Sequence, residues 1–422
     1  MRLYDSKSIS EEHSPDEIPP GYKKTEVGII PEDWEVKQLG SFAHIRSRRV
    51  IPASVDPETI CIELEHIGQG NGRLCAYSKA AESDSSKFLF FSGDVLFGRL
   101  RPYLKKFWFA KQNGICSTEI WPLTVDTSYI LNKFLFYVVQ TEQFLEAAEV
   151  SYGTHMPRAD WKVLRELQIA IPPFSQQRAI SEALSDVENL IESFDNLISK
   201  KQAIKKATMQ QLLTGRAHLP GFEGEWEIKK MVDVSECRSG GTPDTSIKEY
   251  YGGEIPWVSI SDMTFSGKWL KTTERTLTNK GLSSSAAIIF PRMTVLYAMY
   301  ASIGECCIAE VSLCSSQAIL GIQTTSKLDP EYLYYFLSMQ KENVKIMAQH
   351  GTQPNLNAQI IKDFEIPIPC YSEQLAIVSV LSDLDDEIAE LERRKNKVKQ
   401  IKKGMMQQLL TGRIRLLNRE AV

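Results

Sequence analysis

No two cysteines in this 422-residue chain are spaced as CxxC, and the six histidines show no ligand spacing near Cys61, Cys75, Cys116, Cys237, Cys306, Cys307, Cys314 or Cys370. That argues against a zinc site and against a disulfide framework, so buried thiols in a reducing compartment are expected. No run approaches the roughly 20 apolar residues of a membrane helix, and no secretory signal precedes the first charged segment, so a cytoplasmic chain without membrane contact is expected. Neither GxGxxG nor GxxxxGK followed by Ser or Thr occurs, which leaves no evident phosphate-cradling loop. No metal cluster and no nucleophile elbow is present. A charge excess is missing too: the formal net charge is -4, so any anionic partner must be met by local basic patches.

What the chain does have is the octapeptide MQQLLTGR twice, at Met209 to Arg216 and Met406 to Arg413, 197 positions apart. An identical eight-residue match reads as tandem duplication. At the same offset Ser175, Gln177, Ile180, Leu184, Ser185, Asp186 and Ile191 recur as Ser372, Gln374, Ile377, Leu381, Ser382, Asp383 and Ile388. QIAIPPFSQQ matches EIPIPCYSEQ, Gly153-Thr154 answers Gly351-Thr352, and the half-openings DWEVKQL and EWEIKKM align Trp34 with Trp226. Between these anchors the halves diverge: DVLFGRLRPYLKKFWF stands where the second half has TVLYAMYASIGECCIA. A repeated frame with a variable interior is the pattern to explain.

At 43% hydrophobic, the chain can bury two cores of roughly 150 residues each. Residues 1–25, polar and proline-containing, read as a mobile tail, and 416–422 as a second tail. In each half short apolar runs read as strands (ICIELEHI, FLFFSGDVLF, EIWPLTV; then PWVSISDM, AIIF, TVLYAMYA, SQAILGI). One helix follows (residues 129–148; residues 330–349), then the Gly-Thr loop, a short helix and a proline-ended strand. The fold class expected is α+β, with two similar globular domains at 26–173 and 216–370.

Two long helices are expected at 174–215 and 371–415. After Pro172-Pro173, Ser175 is a plausible N-cap, and Ile180, Leu184, Val187, Ile191, Phe194 and Ile198 step by four and three like a coiled-coil seam. The second copy gives Ile377, Leu381, Leu384, Ile388 and Leu391, then Val398, Ile401 and Met405, and each helix ends before a glycine, Gly215 or Gly412. A core helix of one compact domain is the plainer alternative, but the narrow seam and the dense charge elsewhere favour an antiparallel coiled coil. A head-to-tail duplication can then close with internal pseudo-twofold symmetry.

The duplicated strand-Pro-x-x-Ser-x-Gln start of a long helix, the repeated QQLLTG end, the opening GIIPEDWEVKQLG, and the segments SGGTPDTSIKEYYGGEIPWVSISDM and VLFGRLRPYLKKFWFAKQNGICSTEI resemble the specificity subunit of type I DNA restriction-modification enzymes, over about residues 22–416. The resemblance implies two target-recognition domains, each reading one half of a split site on double-stranded DNA, held apart by the long helices. It further implies that two methyltransferase (modification) subunits dock on those helices, and that restriction/translocase subunits complete the complex. S-adenosylmethionine, ATP and Mg would then belong to the partner subunits, with no cofactor in this chain.

Candidate DNA contacts follow from residue chemistry. Residues 97–111 interleave Arg99, Arg101, Lys105, Lys106 and Lys111 with aromatics and carry no acid. Arginine forks suit guanine edges or phosphates, and lysines suit phosphates; an amphipathic strand with a solvated face is the bland alternative. The loop Tyr152, Gly153, Thr154, His155 and Arg158, and its partner Thr352, Gln353 and Asn355, are rich in donors, though a plain turn before a helix would look the same. In the second half Thr242, Pro243, Ser259, Ser261, Asp262 and Gln317 can reach base edges or can equally cap helices and close turns.

An enzyme is the competing class. An adenine methyltransferase is expected to carry Asn- or Asp-Pro-Pro-aromatic, and the nearest strings, Ile171-Pro172-Pro173-Phe174 and Ile18-Pro19-Pro20-Gly21, lack the leading amide or acid. A non-catalytic chain is therefore expected. The recognition subunit of a type IIB-like bipartite-site enzyme, or a coiled-coil scaffold without DNA readout, would share the same repeat.

Overall fold

The computed structural model describes residues 18–150, 156–350 and 356–416. The chain forms two compact units: Met1–Ser193 with Arg394–Val422, and Phe194–Arg393. Each unit therefore holds one globular half, part of the long helix that follows it, and part of the long helix of the other repeat.

In the first unit a four-stranded antiparallel sheet runs in the order Phe107–Phe109, Val95–Gly98, Ile120–Val125, Ala43–Ile45. A five-stranded mixed sheet (Arg49–Val50, Lys87–Phe90, Gly114–Ser117, Ile60–Ile62, Ser78–Lys79) completes the globule. In the second unit Cys306–Ala309, Val295–Ala298, Ile319–Thr324 and Ser235–Ser239 repeat the first order, with Trp269–Leu270 added beside Cys306–Ala309. Both units close with the same ribbon: Gln168–Ile171 pairs antiparallel with Glu35–Gln38, and Glu365–Ile368 with Glu227–Lys230. That ribbon returns the chain to its starting point, where each long helix leaves.

The long helices are Phe174–Leu212 and Tyr371–Leu409, 39 residues each. They start the same way: the Pro173 carbonyl accepts the Gln176 and Gln177 N–H groups, and the Cys370 carbonyl accepts those of Glu373 and Gln374. Ser175 therefore already lies inside the first turn and is not the cap. The repeated glutamine explains the fixed spacing. Buried Gln177 donates to the Pro172 and Tyr129 carbonyls and accepts the Leu131 N–H, and Gln374 does the same with Pro369, Lys327 and Asp329. Each helix end then follows from the octapeptide. Leu409 and Leu410 join the core of the first unit, and Met209, Leu212 and Leu213 that of the second. The repeat is identical because each copy fills an equivalent socket in the other half. Gly412 takes the left-handed conformation (φ 72°), and a Cβ there would lie 2.4 Å from Pro31 Cδ, so only glycine fits this C-terminal cap.

Within each unit the two helices pair antiparallel. In the first, Lys402 Nζ lies 2.7 Å from Glu188 Oε1; in the second, Lys201 lies 2.7 Å from Glu387, and Lys205 pairs with Asp385. Ile180, Leu184, Ile191, Ile198, Ile377, Leu381 and Leu391 are buried as the seam spacing predicts. Ile401 is not: it is 46% exposed, and its neighbour Lys402 turns inward.

Other expectations need correction. Tyr22–Thr25, expected in the tail, is a strand paired with Gly28–Pro31. The single helix expected over residues 129–148 is two, Asn132–Val138 and Glu142–Glu149, because the Thr141 side chain accepts the Phe144 N–H and starts a new helix. The strand expected over PWVSISDM stops at Val258, since Ser259 and Asp262 form a capping box that opens the helix Ile260–Ser266. AIIF contributes only the isolated bridge between Phe290 and Leu313. Cys75 and Cys370 are exposed rather than buried. Among the described residues no helix is long and apolar enough to cross a membrane, and no cluster of His, Cys, Asp and Glu is arranged to hold a metal.

Candidate nucleic-acid interface

The divergent interiors occupy one place in the two frames, the connection between the paired strands Val95–Gly98 and Phe107–Phe109 in the first unit, and Val295–Ala298 and Cys306–Ala309 in the second. Both connections use left-handed residues. In the first they are Arg101 (φ 51°) and Lys105 (φ 50°); in the second, Ala301 (φ 58°) and Gly304 (φ 82°). A left-handed non-glycine residue costs roughly 1 kcal/mol and is sparse outside turns and functional sites. The backbone shape is thus shared while the side chains change from basic to neutral.

Arg101 and Lys105 are exposed, and neither has an ion pair among the described residues. Tyr103, between them, is 49% exposed. Arg99 is held more tightly: its guanidinium lies 5.3 Å from the centre of the Trp121 ring, and its Nε is 4.0 Å from Glu119. Among the described residues that buried Nε has no hydrogen-bond partner. Arg158 takes Glu119 in a fork at 2.8 to 3.1 Å, which holds the guanidinium charged. The Arg101 N–H donates to the Pro157 carbonyl and the Ala159 N–H to that of Arg99, so the segment after the Gly-Thr loop lies against the basic connection. The structure therefore brings Arg99, Arg101 and Arg158 together across about 57 residues of sequence.

Lys106 does not join them; its ammonium donates to the Leu64 carbonyl at 2.7 Å. Apart from Tyr103, the interleaved aromatics pack into or against the core. Phe97, Phe107 and Trp108 are 0%, 3% and 6% exposed, because this strand pair is covered on both faces by separate apolar clusters. Tyr152, Gly153, Thr154 and His155, and Thr352, Gln353 and Asn355, lie outside the described residues. The described residues that follow are tied to the two connections in the same way: the Leu356 N–H donates to the Met299 carbonyl, as that of Ala159 does to Arg99.

In the second unit most of the candidate polar groups are engaged in the fold. Pro243 is buried and its carbonyl accepts the Tyr251 hydroxyl at 2.8 Å, while the Gly241 carbonyl accepts Trp257 Nε1 at 3.0 Å. Asp262 accepts the Ser259 N–H and hydroxyl on Oδ2 and the Glu274 N–H on Oδ1. Ser259 and Asp262 are thus caps, the second of the two readings their chemistry allowed. Ser261 stays exposed at 2.7 Å from the Ser259 hydroxyl, and Thr242 bonds the side chain of exposed Gln317. Sequence reasoning missed Phe265, 88% exposed on the capped helix beside a groove lined by Ser261, Trp269, Lys271 and Thr273. Its i, i+4 relation to Ser261 was the available signal.

Arg101→Ala is expected to leave folding intact and to weaken DNA binding. Loss of a bidentate base contact costs about 1 to 3 kcal/mol and relaxes one position, whereas loss of a phosphate contact lowers affinity for all sequences and reduces the salt slope by about one. Arg99→Ala should also lower the melting temperature, because it removes the contact with Trp121, worth about 0.5 to 2 kcal/mol. Titrations of both variants at several salt concentrations, with calorimetry alongside, check this. Unchanged affinity in folded Arg101→Ala returns the basic connection to a solvated surface.

Comparison with known proteins places the repeated halves in a family. Residues 31–202 and again 223–400 match the type I restriction modification DNA specificity domain. The specificity subunit of type I restriction enzyme MjaIX from Methanocaldococcus jannaschii is 35% identical over 177 residues, 41% of either chain. The MjaVIII specificity subunit of the same organism is 26% identical over 412 residues, 92% of this chain and 95% of that one. A solved chain from work on complex assembly and conformational transition of the type I R-M system shares the fold, with TM-score 0.61 at 20% identity over 91% of this chain and 99% of that chain. With one such domain in each half, the chain belongs to the family of type I restriction-modification specificity subunits.

Proposed function

We propose that this chain reads a bipartite site on double-stranded DNA, with residues 26–173 and 216–370 each reading one half-site. Residues 174–215 and 371–415 set the gap and dock two methyltransferase subunits. The observation that carries the reading is the shared connection with different side-chain chemistry: Arg101 and Lys105 stand where the other half has Ala301 and Gly304. One backbone frame displaying two side-chain sets suits two different half-sites. The chain itself is non-catalytic in this reading. S-adenosylmethionine, ATP and Mg are bound by the methyltransferase and restriction/translocase partners, in the cytoplasm.

Exchange of residues 26–173 for the equivalent domain of another specificity subunit should change one half-site and leave the other as it was. Methylome mapping of cells that express the hybrid with its methyltransferase partner reads this directly. A change in both half-sites would sink the modular reading. Duplex binding that is absent with and without the methyltransferase would favour a scaffold.

A further inference from the structure

The same side-chain network is built twice. In the first unit the Tyr137 hydroxyl meets Ser185 Oγ at 2.9 Å and Glu188 Oε2 at 3.0 Å, and Lys402 Nζ reaches Glu188 Oε1 at 2.7 Å and Gln140 Oε1 at 3.1 Å. In the second the Tyr335 hydroxyl meets Ser382 Oγ at 3.1 Å and Asp385 Oδ2 at 2.8 Å, and Lys205 closes on Asp385 Oδ1. Ser185 and Ser382, Glu188 and Asp385, and Lys205 and Lys402 are pairs 197 residues apart, the offset of the duplication. In each clasp the tyrosine, serine and carboxylate come from one repeat and the lysine from the other repeat's long helix.

The clasps are shielded. Lys402 and Lys205 expose 17% and 22% of their side chains, and both tyrosines are fully buried. Burial first, and then the neighbouring carboxylate charge, raises both phenols well above their ordinary pKa, so each stays a hydrogen-bond donor to its carboxylate. Each tyrosine ring also carries a second ammonium, supplied differently. Lys133 lies 5.5 Å from the Tyr137 ring, and Lys268, ion-paired to Glu331 at 2.6 Å, lies 4.5 Å from the Tyr335 ring and donates to its hydroxyl. The clasp survives in both halves although its surroundings diverged.

An apolar heptad seam by itself leaves register undetermined, because sliding by seven residues again sets apolar against apolar; a polar contact at one level fixes it within the seam, while the octapeptide sockets hold the helix ends. We infer that the paired Tyr–Ser–carboxylate–Lys clasps set the register of the two long helices, which makes Lys205 and Lys402 positioning residues for the spacing of the two half-sites. The alternatives are penalised unequally. A one-heptad slip that sets Lys395 against Glu188 sets Ile198 against Asp385, and the opposite slip sets Leu409 against Glu188 and Leu212 against Asp385. Either slip strands the Asp385 carboxylate, so only the native register satisfies both clasps.

The consequence for DNA rests on the reading of the helices as the ruler of the gap; the register itself is tested without DNA. Nitroxide labels at Gln202→Cys and Asp386→Cys, with Cys75→Ser and Cys370→Ser, should give one narrow distance in the otherwise native chain. Lys205→Met with Lys402→Met keeps the aliphatic stems and removes the charges. It should add a second, distinct distance, because a one-heptad slip displaces one label by about 10 Å along the helix axis. Lys205→Glu with Asp385→Lys, which restores the ion pair reversed, should return a single distance where Lys205→Glu alone does not. A folded double-Met variant with one unchanged distance overturns the inference, and so does a double-Met variant that fails to fold, since the clasp would then hold the fold rather than the register. A shifted register with an unchanged methylated gap supports the clasp and instead refutes the ruler.

Discussion

Insertion of one heptad into each long helix, between residues 190 and 200 and between 390 and 400, is expected to lengthen the gap between methylated half-sites while leaving both half-sites unchanged. Seven helical residues add about 10 Å, or roughly three base pairs at about 3.4 Å per pair. The insertions fall between the two clasps, so each carboxylate keeps its lysine, and seven residues preserve the 3.5-residue seam. Three added pairs also rotate one half-site by about 100° around the duplex, at about 10 pairs per turn. Overall methylation should therefore fall, and sites one or two pairs longer compete with the three-pair optimum. An insertion of four residues instead breaks the seam and should abolish methylation at every gap. Methylome mapping distinguishes the cases. A folded, active heptad variant that still modifies the original gap shows that the helices do not measure the site.

The frame of this protein was legible because duplication supplies an internal control. The 197-residue offset marked the helix starts, the seam and the octapeptide before any contact was known, and the buried Ile180, Leu184, Ile377 and Leu381 lie on the face that the spacing selects. Local chemistry was legible in part. Ser259 and Asp262 carry the three-residue spacing of a capping box, which is the reading the structure selects over contact with base edges. The basic connection was harder, because strand alternation assumes one buried face. Phe107 and Trp108 are both buried in different clusters, so the aromatic interleaving reported packing rather than base stacking. Glu119, which engages Arg99 and Arg158, is brought there by the sheet register of Ile120 with Gly98, and no local pattern encodes it. The inward turn of Lys402 rather than Ile401 has the same origin: its position is set by Glu188 and Tyr137 in the other repeat.

Trp34→Ala is expected to destabilise the first unit by about 3 to 5 kcal/mol, the range for emptying a buried aromatic site, whereas Trp226→Ala at the equivalent position should cost less than half of that. Trp34 is fully buried, and its Nε1 donates to Gln176 Oε1 at 3.1 Å; Gln176 in turn bonds Asp33, which pairs with Arg415 at 2.5 Å. Removal of the indole leaves both a cavity and a buried amide oxygen without its donor. Trp226 is only partly buried, and its Nε1 donates at 3.3 Å to His218, which stands at the repeat position of Arg415 and faces the buried carboxylate of Glu373. Water can replace much of what that indole supplies. For a unit of about 200 residues, 3 to 5 kcal/mol lowers the melting temperature by roughly 6 to 20 °C. Urea unfolding followed by tryptophan fluorescence and by circular dichroism should resolve an earlier transition in Trp34→Ala alone. Equal losses for the two substitutions would mean that the repeated tryptophans carry equal weight, and that burial at the start of each long helix does not determine the stability of its unit.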